Sequence, residues 1–263
     1  MSDEKVVLKN TIRVLDQEGN EKASASSEGA VILAWIGQYE EGDKIVWEAA
    51  ETDKYYVIRL DDTMDEDLVY LTKSQVEFVI PFEEKKTSYN PKAFTGERHY
   101  LTMRPALERE IYAYRNLAKN SMDQHGDPGC YPHASANVET RGEAVFAARN
   151  AIDGVLANES HGYWPYESWG INQQDDAELT LEFGRPVDFD EIVLYTRADF
   201  PHDNWWEQVT FTFSDGSEET VSLEKSVKPH IIPMLKFGKL IKADDPSPFP
   251  ALTQIEVYGT YCK

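Results

Sequence analysis

The chain has 263 residues, 41% of them hydrophobic, and a formal net charge of −21, shared between the halves: residues 1–129 carry 16 basic against 25 acidic side chains, residues 130–263 carry 10 against 22. An acidic field this even repels phosphate backbones and anionic lipid, which argues against nucleic acid and membrane insertion. The apolar fraction argues against disorder, and the length favours two domains over one.

Residues 1–104 read as a run of short strands. Val6–Leu8 and Ile12–Val14 come first, and the unbroken apolar run Val31–Ile36 predicts a strand buried on both faces. Lys44–Glu48 and Tyr55–Leu60 follow. Leu68–Leu71 and Val76–Ile80 are expected to pair around Thr72–Gln75. Strands this short and this close suggest a β-sandwich and not a βαβ sheet. Between them, Asp61–Asp67 is acidic but lacks the glycine and distal glutamate of an EF-hand loop, so a solvated turn is expected. Pro105 suits a helix start, and Leu107, Ile111 and Tyr114 share one helical face, so residues 105–129 are read as a helical connector closed by Gly126–Gly129.

In the second half, Gly142–Asn150 predicts one or two helical turns ending at Asp153-Gly154. Ala177–Gly184 alternates apolar and polar residues as a half-buried strand requires, and Asp190–Thr196 is a second strand. Gln208–Phe213 alternates again, Asp215-Gly216 marks a tight hairpin, and Thr220–Leu223 returns from it. Leu252–Tyr258 is the last strand. Met1–Lys5 has no apolar core of a leader and no run is long enough to cross a bilayer, so a cytoplasmic location is expected of the chain as written; secretion stays open if a leader has been removed.

Several short signals occur in a suggestive order: Ala134-Ser135-Ala136, the turn Ala151-Ile152-Asp153-Gly154, Leu181–Val187, Ile192–Leu194 and the closing Leu252–Gly259. Together, over residues 130–261, they resemble the discoidin-type domain (coagulation factor 5/8 type C) and its bacterial carbohydrate-binding module relatives. The resemblance implies a galactose-binding-like, jelly-roll β-sandwich that binds glycans or lipid head groups without catalysis. It also implies a structural calcium held by Asp153 and Glu256 with backbone carbonyls, and Cys130 and Cys262 close enough in space to bond in an oxidising compartment. The expected fold is therefore all-β: two β-sandwich domains, 1–104 and 130–263, joined by the connector 105–129.

Two loops flank the strands from Ala177 to Thr196, and both mix aromatic with polar residues. Sugar rings offer apolar C–H faces to an indole and hydroxyls to Asp, Asn, Arg or His. Trp164, Arg197, Asp199, His202, Asp203, Asn204 and Trp205 are thus the expected saccharide site, in loops at one end of the sandwich. Trp164 and Trp169 sit where burial is hard to arrange, and of the adjacent Trp205 and Trp206 at most one fills the core if the segment is a strand. Asp199, His202 and Asp203 also raise acid–base or metal chemistry, but match no hydrolase triad, His-x-x-x-His helix or phosphate loop. A saccharide-active enzyme or subunit using these loops, and a scaffold that docks protein on them, are the alternatives. The sugar and the oligomeric state stay open.

Overall fold

The structure is a computed structural model that describes residues 8–126, 129–234, 241–243 and 250–262. The expected strand at Val6–Leu8 lies largely outside these residues. The first half contains β1 (Asn10–Leu15), β2 (Glu21–Ser27), β3 (Val31–Ile36), β4 (Lys44–Glu48), β5 (Lys54–Arg59), β6 (Asp67–Leu71), β7 (Gln75–Val79) and β8 (Arg98–Pro105), with a 3-10 turn at Glu83–Ser88. Then come the one-turn helix α1 (Glu108–Ile111), β9 (Arg115–Asn116), β10 (Cys130–Tyr131), β11 (His133–Ala136) and three 3-10 turns between Thr140 and Ile152. The chain continues through β12 (Trp169–Gly170), β13 (Glu178–Glu182), β14 (Val187–Thr196), β15 (Gln208–Thr212), β16 (Glu218–Ser222), β17 (His230–Pro233), β18 (Ile241–Ala243) and β19 (Ala251–Tyr261). The molecule is mostly β-sheet with few helical residues.

Among the described residues these strands form four sheets. In the first half, β2-β1-β4-β7 and β10-β6-β5-β8-β3 share one apolar cluster built on Trp47, Phe78, Ile58 and Leu101. In the second, β11-β13-β18-β15-β16 and β12-β19-β14-β17 share another, built on Trp169, Phe211, Leu179 and Ile255. Alternation explains both: every second side chain of β1, β7, β13 and β15 turns inward to the opposing sheet. The longest pairing, β14 with β19, is antiparallel with a register shift between Phe189 and Glu191. A Cβ at Gly259, facing that shift, would stand 2.1 Å from the Asp188 carbonyl oxygen, so only glycine fits.

Several expectations need correction. Val31–Ile36 is buried on one face only: Val31, Leu33 and Trp35 turn into the core while Ile32 and Ile36 are 59% and 70% exposed, and the neighbouring β8 alternates in the same way. Leu68–Leu71 and Val76–Ile80 do not pair with each other. The link crosses between sheets, and its backbone is satisfied from both sides, by Thr72 N–H to Gly129 O (2.9 Å) and Ala49 N–H to Ser74 O (2.8 Å). Asp61–Asp67 is not simply solvated, since Asp61 and Asp67 are buried and accept from Phe94 N–H and Ser121 N–H. Trp169, expected in an exposed loop, is 1% exposed and donates its indole N–H to Val138 O.

The helix expected in the connector 105–129 is reduced to α1. Arg104 forks onto Glu110, whose Oε2 also accepts the Leu107 N–H, and this holds one turn. Beyond it the last strand captures the chain: β9 pairs with β19, Leu117 N–H reaches Val257 O at 2.7 Å, and Val257 N–H reaches Asn116 Oδ1 at 3.0 Å. Ladder bonds to a buried strand outweigh a local helical preference, and Leu107 and Tyr114 stay exposed.

The two halves meet on aromatic side chains. Tyr55 and Tyr70 belong to the second apolar cluster; Tyr55 lies 4.5 Å from the Tyr261 ring, and the Arg185 guanidinium sits over Tyr55 and Tyr70 at 5.5 and 5.6 Å. In exchange, Cys130 pairs in the first half's sheet through β10 and joins its cluster. Both cysteines are free, Cys130 buried and Cys262 half-buried, so the bond that the resemblance allows is not formed.

Candidate functional site

Beside β14 and β19 lies a cleft of about 310 Å³, at the lower end of the size range of small-molecule sites. Three segments build it. The turns after β11 supply Thr140, Arg141, Glu143 and Phe146; the loop before β12 supplies His161, Gly162 and Tyr166; the exit of β14 supplies Arg197 and His202. Asn158 ties the last two together, donating from Nδ2 to Thr196 O (2.9 Å) and accepting Ala198 N–H on its carbonyl (2.8 Å). Arg197 N–H is held by Ala251 O at the start of β19. The floor is tight: a Cβ at Gly170 would lie 2.5 Å from Thr140 Oγ1, which itself accepts the Asn172 N–H.

Asp199 organises the cleft from behind. It is 3% exposed and takes the Arg197 guanidinium as a fork, through Nε and through Nη2 at 2.8 Å. Its Oδ2 also accepts from His161 Nδ1 at 2.6 Å, which sets that ring's tautomer and leaves Nε2 outward. Among the described residues Arg197 Nη1 and His161 Nε2 have no hydrogen-bond partner. The His161 and His202 rings stack 4.9 Å apart at 6°, and Arg197 lies 5.7 Å from the Phe146 ring. Opposite, Arg141 forks onto Glu143 at 2.6 and 2.7 Å, which lowers the pKa of Glu143 from the ordinary carboxylate value. Burial raises the Tyr166 phenol, with Arg197 opposing. The cleft thus offers apolar ring faces beside fixed donors and a histidine acceptor. The wall with Phe146 is braced from the first half, since Glu84 Oε1 accepts the Ala144 N–H at 2.7 Å.

The seven residues expected from the loops separate into three places. Arg197 and His202 line the cleft, with Asp199 buried behind them. Trp164 lines a different pocket. Asp203 pairs with Lys225 Nζ at 2.5 Å, the same ammonium lies 5.6 Å from the Trp205 ring, and Asn204 sits half-buried between these two residues, outside the cleft lining. Trp206 takes the core position, stacked on Trp169 at 6.3 Å, which leaves Trp205 on the other side. Phe146, His161 and Tyr166 also line the cleft and lie outside the seven expected residues. His161 stood in plain view in the aromatic loop, but its partner is 38 residues away.

Asp153 and Glu256 are each engaged elsewhere. Asp153 accepts Val155 N–H at 2.8 Å and faces Arg149 Nη1 at 3.8 Å, and burial raises its pKa well above the ordinary value. Glu256 is raised by burial on the outer face of β19, with Tyr195 and Tyr258 as hydrogen-bond partners. The side chain that reaches the Asp153 turn is Gln254, which accepts Gly154 N–H at 3.2 Å. Among the described residues no three His, Cys, Asp or Glu side chains converge on a metal position. Calcium takes six to eight oxygens, and the two carboxylates have separate partners, Val155 N–H for Asp153 and the Tyr195 and Tyr258 hydroxyls for Glu256, so the pair does not fit the ion.

No family model matches the chain, and no curated protein matches it. Solved structures similar to about half of the chain are carbohydrate-binding modules. One is a Streptococcus pneumoniae fucose-binding module, SpX-3, 17% identical with a TM-score of 0.41 over 56% of this chain and 98% of that one. Another is the lectin domain of lectinolysin complexed with Lewis B antigen, 17% identical with a TM-score of 0.42 over 55% and 96%. A third is the family 32 module of C. perfringens NanJ in complex with galactose, 19% identical with a TM-score of 0.37 over 48% and 91%. These superpositions are loose, and what the cleft accepts follows from its side chains.

Proposed function

We propose that the cleft between Phe146, His161 and Arg197 binds a saccharide and leaves it unbroken. The observation that carries this is Asp199, a buried carboxylate that fixes both Arg197 and His161 while an unpartnered nitrogen of each remains for a ligand. Fixed donors cost little ordering on binding, and ring faces beside them suit a pyranose. The resemblance to discoidin-type domains points the same way. The case against bond cleavage is chemical: among the described residues each carboxylate at the cleft is forked by an arginine, whereas a glycosidase needs one carboxyl held protonated as a general acid. On this reading the chain is two β-sandwich domains, and the first braces the second through Glu84 and the tyrosine seam.

A glycan array probed with the whole chain, followed by titration of the best hit, tests the reading. Arg197→Ala should weaken binding about tenfold or more, since a charge-assisted hydrogen bond contributes about 1.5–3 kcal/mol, and the glycan should be recovered intact. Array binding unaffected by Arg197→Ala removes the cleft from the account. Turnover that depends on Asp199 or Glu143 moves the protein to the enzymes.

A further inference from the structure

The loop that supplies His161 and Tyr166 to the cleft turns Trp164 the other way, into a pocket of about 160 Å³ at the seam between the halves. One loop is therefore a wall shared by two cavities. Asp153 lines the second cavity, with its side chain 4% exposed. Its Oδ1 is satisfied by Val155 N–H, but its Oδ2 has no hydrogen-bond donor among the described residues. The nearest cation, Arg149 Nη1, stands at 3.8 Å, beyond hydrogen-bond range. Arg149 is also committed elsewhere, donating from Nε to Asp123 O, from Nη1 to Asn150 Oδ1 and from Nη2 to Ser121 O. The Asp153 side chain is thus almost wholly buried yet lines this cavity with one oxygen open, and a ligand hydroxyl or ammonium completes its hydrogen bonding.

The rest of the lining says what carries that donor. Trp164 and Met64 provide apolar surface, and the first half adds the polar Asn90 beside the buried Ser88 and Tyr89. An anion is disfavoured, because Lys119 is already paired with Asp65 at 3.1 Å and Asp67 at 3.6 Å, and Arg149 is satisfied. A metal is disfavoured by the lack of converging ligands among the described residues. An apolar ligand would leave Asp153 unpaired. We propose that the Trp164 pocket is a second saccharide subsite, in which a ring hydroxyl or ammonium donates to Asp153 Oδ2 while the ring rests against Trp164. This rests on the saccharide reading of the cleft for the class of ligand, but it uses different residues.

The test is a fluorescence and calorimetric titration of the whole chain with the methyl glycosides of galactose, glucose and glucosamine, in parallel with Trp164→Phe, Asn90→Trp and Arg197→Ala. Asn90→Trp fills the pocket mouth from the first half and guards against a Trp164 variant that merely misfolds. Two binding events are expected. The Trp164 pocket event should be lost or weakened about tenfold or more in Asn90→Trp, and the Trp164 fluorescence change lost in Trp164→Phe. Preference for glucosamine identifies the ammonium donor, and equal binding of all three identifies the hydroxyl. If Arg197→Ala removes all binding and Asn90→Trp none, the second subsite is wrong and the cleft stands. If Asn90→Trp removes all binding and Arg197→Ala none, the cleft reading is wrong and the Trp164 pocket stands. No binding of any glycoside overturns both.

Discussion

Asp153 holds a backbone N–H on Oδ1 and Glu256 is engaged by Tyr195 and Tyr258, so calcium added to chelated protein is expected to leave the melting temperature unchanged. A rise that Asp153→Asn abolishes would instead mean that the Asp153 carboxylate takes the ion, because a cation bound only to the folded state stabilises it by mass action. A second titrating group gives a pH signature. Glu139, 2.8 Å from His125 Nε2, raises that imidazole above its ordinary 6.5. The folded state then holds the proton more tightly than the unfolded chain, so the pair stabilises fully below that value and its contribution fades as pH rises through the raised pKa. Melting curves of the wild type and His125→Gln should differ at pH 6 and converge under alkaline conditions; a gap that widens with pH would reverse the assignment. Legibility at this scale followed distance along the chain. That Arg197, Asp199 and His202 lie together was legible, because they stand at one strand exit. That Phe146, His161 and Tyr166 join them was not, because only folding brings them to Arg197. Trp205 and Asp203 were grouped with that exit for the same local reason, yet burying Trp206 turns Trp205 toward Lys225.

At the scale of elements, period-two alternation located most strands, and it failed where the outcome depends on neighbours. VILAWI reads as buried on both faces, yet β3, like its neighbour β8, buries one face only, with Val31, Leu33 and Trp35 inward. The helical spacing of Leu107, Ile111 and Tyr114 is real, but β19 offers the following residues ladder bonds and the helix stops after one turn. β14 and β19 carry the longest pairing and present Arg197 and Ala251 at the cleft, so their register matters to the site. Gly259→Ala, with its new Cβ 2.1 Å from the Asp188 carbonyl, should lower stability by about 1–3 kcal/mol, as overpacking typically does. Urea unfolding measures this, and an unchanged midpoint would mean that the strand end shifts without cost.

For the whole molecule, the sequence suggested two sandwiches and a linker, and the described residues form four sheets with few helical residues and a closely knit seam. What composition could not show is how the halves exchange residues: Tyr55 and Tyr70 pack with the second cluster, and Cys130 with the first. Arg185 bridges them over two tyrosine rings, contacts that contribute about 0.5–2 kcal/mol each. Calorimetry of the wild type should therefore show one cooperative unfolding transition, and Arg185→Ala should split or broaden it. Two transitions in the wild type would mean that the halves are energetically independent. The cleft stands or falls on a different observation: the imidazole NMR signals of the whole chain during titration with its best array glycan. His161 and His202 should shift in step with saturation while His99, His125, His133 and His230 stay in place; saturation with His161 and His202 unmoved would contradict the site.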